Sequence, residues 1–151
     1  MPLPHRIAAG AIILREGKIL LVRYAHSQGG CYLVAPGGAV QETEELADAA
    51  VRETREETGL TVAVTKPLVV ENLVCSSYRM CKTWFLGNVI AGQVHDTQGA
   101  RDEGITQAEW FSLDDLRAET VYPAILMRFD WSSFASPDWV VRWMGVRHMT
   151  F

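Results

Sequence analysis

Three glutamates close together in the chain are the residues best suited to chemistry. If residues 44–58 are helical, Glu53, Glu56 and Glu57 project within about a 100° arc of the helix surface. Like charges at this spacing repel one another, so the trio favours a nearby cation. Carboxylate oxygens are hard ligands that suit Mg²⁺ or Mn²⁺, and Mg²⁺ is often shared with substrate phosphates. The trio therefore indicates a divalent-cation site that serves phosphate chemistry.

The same carboxylates could instead form an ordinary solvated helix face. Arg52 and Glu56 are four residues apart, a spacing at which opposite charges pair on a helix surface. Counts of charges alone favour this second interpretation, because surface ion pairs are common in proteins. The residues around the helix decide between the two.

The net charge is concentrated in the same segment. Residues 42–57 contain seven acidic and two basic side chains, a net charge of −5, whereas the whole chain carries −4. The remainder is therefore at +1, with no basic stripe along which a polymer of phosphates could bind. This distribution argues against a nucleic-acid polymer as a partner.

The flanking sequence predicts how the acidic helix is held. Thr43 is a competent N-cap, and Gly59 suits the position after the last turn, so we predict a helix over 44–58. The glycines of Pro36-Gly37-Gly38 permit backbone angles that other residues avoid, and they predict a sharp turn before the helix.

Short apolar runs elsewhere predict strands and two more helices. The predicted strands are a hairpin over 7–14 and 18–23, long strands over 60–74 and 78–90 interrupted by Pro67, and a short strand over 108–111. Residues 93–104 are predicted to form an exposed loop, Ser112 to cap one helix and Pro123 to begin another. The tryptophan-rich stretch after residue 130 is ambiguous.

The run from Gly38 to Leu60, GAVQETEELADAAVRETREETGL, resembles the signature of the Nudix hydrolases. All seven fixed positions of that signature are filled, by Gly38, Glu44, Arg52, Glu53, Glu56, Glu57 and Gly59. Seven identities at fixed spacing make the match highly specific, although it covers only 23 of the 151 residues. A weaker resemblance extends to Asp102-Glu103-Gly104, which is similar to the family's late acidic loop.

The resemblance implies an α/β protein with a Nudix-type α/β/α sandwich, in which a mixed sheet lies between the acidic helix and C-terminal helices. It implies Mg²⁺-dependent hydrolysis, with Mn²⁺ as an alternative ion, of a phosphoanhydride bond in a nucleoside diphosphate derivative. ADP-ribose-like compounds, dinucleoside polyphosphates and nucleoside triphosphates all remain open as substrates. A nucleotide-sensing or scaffolding domain without turnover is the alternative, and a diphosphate isomerase on the same fold is a further rival.

The resemblance also implies a metal site. Glu53, Glu56 and Glu57 would bind the ion, and Gly38 would contribute its backbone carbonyl. The ion would bridge phosphate oxygens and activate a water for attack on phosphorus.

Three further residues receive roles by resemblance. Glu103 would be an extra metal ligand or the general base, while Arg52 and Glu44 would orient the acidic face. Departures from the family's habit occur at Gln41, Thr43 and Thr54. The first two leave the loop geometry open, and Thr54 replaces an aliphatic residue without altering the acidic face.

Other candidates have weaker support. Tyr78 lies where some relatives that hydrolyse dinucleoside polyphosphates carry a tyrosine, and Arg23 or Arg79 could bind phosphate. The four histidines lack metal-ligand spacing: His5, His26, His95 and His148. One of the five tryptophans could stack on a base, although packing is the commoner role: Trp84, Trp110, Trp131, Trp139 and Trp143. Cys31 is a remote candidate for a nucleophile.

Composition bounds the remaining possibilities. A chain of 151 residues with 48% hydrophobic and 21% charged side chains is expected to form one domain over 1–151. Three cysteines without CxxC spacing indicate neither a disulfide framework nor a zinc cluster, which favours the cytoplasm. The apolar runs are too short to span a bilayer and no signal-peptide pattern precedes them, so no membrane association is expected. A homodimer is left open.

Overall fold

A mixed β-sheet organises the chain in the computed structural model, which describes residues 1–26 and 28–150. Within those residues its strands are β1 (His5–Arg15), β2 (Lys18–Ala25), β3 (Cys31–Val34), β4 (Gly37–Ala39), β5 (Thr61–Val74), β6 (Arg79–Ala91), β7 (Ile105–Phe111), β8 (Val121–Tyr122) and β9 (Arg142–His148). They lie in the order β8-β3-β2-β1-β6-β5-β9, with β4 paired to β1 and β7 to β2. The pairs β1–β6, β3–β8 and β5–β9 are parallel and the others antiparallel. The predicted hairpin and long strands are confirmed; β5 continues through Pro67, where its register on β6 shifts.

The helices are fewer and shorter than predicted. The α-helices are α1 (Leu46–Thr58) and α2 (Gln98–Asp102), and 3₁₀ helices cover Asp114–Leu116, Ala124–Met127 and Trp131–Ala135. The exposed loop predicted over 93–104 is confirmed only in part: residues 93–97 form neither helix nor strand, but Gln98–Asp102 is helical, and Thr97 caps α2 by accepting a hydrogen bond from the Ala100 N–H. Both helices predicted near Ser112 and Pro123 are single 3₁₀ turns.

Helix α1 begins two residues later than predicted. Its N-cap is Glu45, whose side chain makes no capping hydrogen bond among the described residues, so the predicted Thr43 cap was wrong. Glu44 is held outside the helix because its carboxylate accepts hydrogen bonds from Arg52 and from the Gln41 N–H. The predicted end is confirmed: Gly59 has φ of +83° and donates its N–H to the Arg55 carbonyl.

Strand β1 separates two apolar cores, one on each face of the sheet. On one face, Ala9 and Ile13 pack with Ala49 and Ala50 of α1. On the other, Ile12 belongs to a core completed by side chains from the 3₁₀ segments, namely Leu116, Ile125, Leu126 and Phe134. The sheet is thus sandwiched as predicted, but its C-terminal layer is built from 3₁₀ turns.

The β1–β2 hairpin divides the sheet into two halves. The two strands pair only next to the turn, at Leu14 with Ile19 and Arg15 with Lys18, and then part. Beyond that point β1 pairs with β6, whereas β2 pairs with β7 and β3. Within the described residues, no helix has the length and apolar composition needed to cross a membrane.

Candidate active site

A cavity of about 460 Å³ is lined by residues from both halves of the sheet. Glu53, Glu103 and the backbone of Gly37-Gly38 contribute to its wall. An aromatic wall of Tyr24, Tyr32 and Tyr122 comes from β2, β3 and β8. The remaining wall consists mainly of side chains on β1, β5, β6 and β9, among them Arg6, Glu71, Lys82 and Arg147.

The three glutamates of α1 differ in exposure. Glu53 and Glu57 are buried, with 2% of Glu57 exposed, whereas the Glu56 side chain is 51% exposed. The Arg52 Nη1 lies between two of them, 2.8 Å from Glu53 Oε1 and 3.2 Å from Glu56 Oε2. In this arrangement no three His, Cys, Asp or Glu side chains among the described residues form a ready metal centre.

Arg52 joins α1 to the preceding loop. Its Nε and Nη2 donate to the two carboxylate oxygens of Glu44 at 2.8 and 3.0 Å, and Nη2 also donates to the Ala39 carbonyl at 2.9 Å. The hydrogen bond from Arg52 lowers the pKa of the Glu44 carboxyl, so Glu44 stays ionised. This bidentate pair fixes the loop against the helix.

Gly38 is the point at which β4 touches α1; the sharp turn predicted at Pro36-Gly37-Gly38 was wrong, because both glycines lie in this strand, paired with β1. A Cβ at Gly38 would lie 2.6 Å from Glu53 Cδ, so a side chain there would displace the carboxylate. One residue earlier, the Gly37 N–H donates to Glu57 Oε2 at 3.4 Å. The two glycines therefore let backbone approach both buried carboxylates.

Burial shifts the titration of these two carboxyl groups. Desolvation raises the pKa of Glu57 to about 8, although the positive charge of Lys82 opposes the shift. Desolvation also raises the pKa of Glu53, against the hydrogen bond from Arg52. A divalent cation would stabilise the ionised forms, so two buried oxygen donors beside a glycine backbone fit Mg²⁺ or Mn²⁺.

Glu103 reaches the cavity because α2 is attached to α1. The Thr97 hydroxyl donates to the Glu56 carbonyl, and a Cβ at Gly99 would lie 2.7 Å from that same oxygen. Glu103 directly follows α2 and is exposed, and its negative charge contributes to the raised pKa of Glu53 and Glu57. Sequence reasoning selected Glu103 but missed the short helix that carries it.

Buried polar residues on the sheet were missed by sequence reasoning. Lys82 is buried where the charges of Glu57 and Glu71 act on it, with its Nζ 4.2 Å from the centre of the Trp84 ring. The Trp84 Nε1 donates to Glu71 Oε2 at 2.8 Å. The alternation of Met80, Lys82 and Trp84 along β6 was the available signal, because side chains two apart share a face.

The weaker candidates divide into two groups. Tyr78 lines the cavity, and so does Trp84. Arg23 pairs with Glu119 at 3.0 Å, and Cys31 lies beside Arg23, in neither case as part of the cavity wall among the described residues. Arg79 and the histidines are likewise absent from that wall: His5, His26, His95 and His148.

Comparison with known proteins assigns the chain to a family. The family model of the NUDIX domain matches residues 4–129. The chain belongs to the Nudix family. It is 33% identical over 119 residues to a Caenorhabditis elegans protein named as a nudix hydrolase, and 33% identical over 113 residues to the ADP-ribose pyrophosphatase of Methanocaldococcus jannaschii.

The two relatives are longer than this Nudix chain. The alignments cover 75% and 73% of the chain but only 30% and 63% of the relatives. A solved NUDIX hydrolase from Nitrosomonas europaea matches with a TM-score of 0.68 at 26% identity, covering 83% of this chain and 84% of that one. The predicted family and α/β fold class are confirmed.

Proposed function

We propose that this Nudix chain hydrolyses a phosphoanhydride bond in a nucleoside diphosphate derivative with the help of Mg²⁺, with Mn²⁺ as an alternative ion. The observation that carries the proposal is the burial of Glu53 and Glu57 against the Gly37-Gly38 backbone, beside a cavity large enough for a nucleotide. Glu53 is paired with Arg52, but among the described residues Glu57 accepts a hydrogen bond only from the Gly37 N–H; because burying a carboxylate with so few partners is unfavourable, its position supports a divalent cation at this site.

The ion would be held by Glu53, Glu56, Glu57 and the Gly38 carbonyl. When bound, it offsets negative charge on the phosphates and lowers the pKa of water. Glu56 is half exposed and bonds to Arg52 at 3.2 Å, so its side chain can turn away from Arg52 with little cost to packing. Glu44 holds the Arg52 guanidinium on its other side and so keeps the acidic face in position.

Hydrolysis needs a proton acceptor as well as charge stabilisation. A water oxygen forms a bond to phosphorus, the P–O bond of the anhydride breaks, and the leaving phosphate departs with the electron pair. Glu103 accepts the proton of the attacking water in our proposal, because it is an exposed carboxylate on the cavity wall.

The substrate is proposed as a small nucleotide. The aromatic wall offers Tyr24 stacked on Tyr32, with ring centres 5.4 Å apart, and Tyr122 edge-on to Tyr32. Such surfaces suit the flat rings of nucleobases. ADP-ribose-like compounds are one class to test, since one relative is named an ADP-ribose pyrophosphatase.

The cellular compartment, the partners and the oligomeric state of the protein are also proposals. Cys31, Cys75 and Cys81 are free thiols in the structure, which supports a reducing compartment such as the cytoplasm. We propose a single domain over 1–151 that acts without a membrane or nucleic-acid polymer. Light scattering after size-exclusion chromatography would decide between a monomer and a homodimer.

The test is a hydrolysis screen of the purified chain over the three substrate classes, with Mg²⁺, with Mn²⁺ and with a chelator, in which the nucleotide products are separated by ion-exchange chromatography. We expect hydrolysis of at least one class that requires the ion and is lost in Glu57→Gln. The matched control is Glu42→Gln, which removes the same charge from an exposed site outside the cavity. Tight nucleotide binding without turnover in any arm would instead favour the sensing or scaffolding domain.

A further inference from the structure

The C-terminal strand β9 lies beyond the residues matched by the NUDIX domain, yet it reaches the cavity. The match ends at residue 129, and β9 covers Arg142–His148. The strand pairs in parallel with β5, which places Arg147 next to Leu73. Arg147 and Met149 both line the cavity. Part of the cavity wall is therefore supplied by sequence outside the matched family region.

Arg147 is held in one orientation by two contacts. Its Nη2 donates to Glu71 Oε1 at 2.5 Å, and the guanidinium lies 5.3 Å from the centre of the Tyr122 ring. Glu71 is fixed in turn because it is 2% exposed and accepts the Trp84 Nε1–H. A guanidinium carries five N–H donors, and among the described residues Arg147 uses one hydrogen bond, to Glu71. The remaining donors are available to a ligand.

The strand register sets Arg147 in a row that suits a flat ring. Across the sheet, Arg6, Met80, Leu73 and Arg147 are successive neighbours on β1, β6, β5 and β9. At about 4.8 Å per strand, the row spans about 14 Å. Its two central side chains are apolar, and Arg6 at the far end lies 4.1 Å from the centre of the Tyr78 ring. An apolar floor between two guanidinium groups suits a planar ring with hydrogen-bond acceptors on its edge.

The local charge favours a neutral acceptor over another phosphate. Glu71 already balances the charge of Arg147, and Lys82 faces both Glu57 and Glu71. Arg147 itself therefore offers no excess positive charge to attract an additional anion. Its free groups are donors, so a ring edge that presents an amino group would place donor against donor.

We propose that Arg147 is a specificity-determining residue that donates hydrogen bonds to the keto oxygen of the substrate's nucleobase. This inference rests on the proposed function. It makes the chain prefer a 6-keto purine to a 6-amino purine in otherwise identical substrates. A guanidinium paired with keto and ring-nitrogen acceptors is an established mode of base discrimination in protein–nucleic acid complexes.

The test compares substrates that differ only at position 6 of the purine, namely inosine and adenosine forms of diphosphate-ribose and of the triphosphate. We expect kcat/KM of the wild type to be about tenfold or more higher for the inosine form, as for loss of a hydrogen bond to a charged group. In Arg147→Gln the ratio should fall to within about twofold of unity. Arg142→Gln is the control, because Arg142 lies on the same strand and contacts Phe129 and Trp139 outside the cavity.

A wild-type ratio near unity, or an unchanged ratio in Arg147→Gln, would overturn the proposal. The proposal would also be overturned if Arg147→Gln lost activity toward 2′-phosphorylated ADP-ribose more than toward ADP-ribose, because Arg147 would then bind an anion. Arg147→Lys provides a second variant that keeps the charge beside Glu71 but lacks the planar fork, and its ratio should also fall. If the wild type hydrolyses none of these compounds, the proposed function fails, and calorimetric binding of inosine and adenosine monophosphates still decides whether Arg147 prefers the keto form.

Discussion

Two buried carboxylates whose charges act on Lys82 have different partners. Glu57 on α1 and Glu71 on β5 are each 2% exposed. Glu71 accepts hydrogen bonds from Arg147 at 2.5 Å and from Trp84 at 2.8 Å. Among the described residues Glu57 accepts one, from the Gly37 N–H at 3.4 Å. Glu71 therefore has two side-chain donors, one of them cationic, whereas Glu57 has one backbone donor and the nearby charge of Lys82.

From this contrast we infer that the two ends of the cavity have different functions. At the α1 end, the carboxylate of Glu57 has few donors, which suits the proposed site for a cation and phosphates. At the β9 end, Glu71 accepts hydrogen bonds from Arg147 and Trp84, which in our proposal orients Arg147 toward the substrate. Four predictions test the division.

The largest effect should follow removal of the charge at Glu57. We expect Glu57→Gln, and likewise Glu56→Gln, to lower kcat by at least about a hundredfold, because each removes a charge directed at the cation and the transition state. The fold should survive, since the pKa of Glu57 is raised to about 8 and its carboxyl is therefore largely neutral at pH 7 without a cation, as the amide would be. Steady-state kinetics beside thermal melting check both points, and near-full turnover by the folded double variant would contradict the metal role.

Glu103 should show an intermediate effect at the same end. If it accepts the proton, Glu103→Gln should lower kcat by about tenfold to a hundredfold while Mg²⁺ dependence stays close to that of the wild type. If it is mainly a metal ligand, the Mg²⁺ concentration for half-maximal rate should rise in parallel. Single-turnover kinetics over a Mg²⁺ titration separate these results, and an unchanged rate with unchanged Mg²⁺ dependence would remove Glu103 from the mechanism.

The α1 end was largely predictable from sequence and the β9 end was not. Gly38, Arg52 and Glu53 lie within one 23-residue run. For the two helical residues, the spacing along the chain determines where the side chains lie relative to each other. Arg147 and Glu71 are 76 residues apart and meet only through the parallel pairing of β9 with β5. No local pattern encodes that register.

Two errors in the predicted elements have the same origin. Thr43 has the right chemistry for an N-cap, but the ion pair between Glu44 and Arg52 holds the chain extended past it. The composition of residues 93–104 predicts a polar loop, but contacts with the Glu56 carbonyl stabilise part of this segment as helix α2. In both cases a tertiary contact overrode a local preference.

Stability should respond more strongly to Glu71 than to Glu57. Glu71→Gln leaves Arg147 and Lys82 with less compensating charge, and we expect the free energy of unfolding to fall by about 1–2 kcal/mol, less than for a fully buried pair because Arg147 is partly exposed. Glu57→Gln should leave the free energy of unfolding close to that of the wild type, because the raised pKa of Glu57, about 8, keeps its carboxyl largely neutral at pH 7 when no cation is bound. Urea unfolding in the presence of a chelator measures both variants, and equal losses would contradict the different compensation of the two carboxylates.

The smallest effect should be stabilisation by the cation, and it should depend on the α1 end alone. An ion that binds only the folded chain stabilises it by mass action, by about 1.4 kcal/mol at ten times its dissociation constant. For a chain of this size that corresponds to an increase in Tm of about 3–6 °C, from the usual 2–4 °C for each kcal/mol. Calorimetry with Mg²⁺, against a monovalent salt at matched ionic strength, should show this increase in the wild type and in Glu71→Gln, because the latter keeps the carboxylates of α1. The increase should largely vanish in Glu53→Gln and Glu57→Gln. Equal shifts in all four proteins would mean that Mg²⁺ acts by general screening, and the contrast between the two buried carboxylates would then say nothing about a metal site.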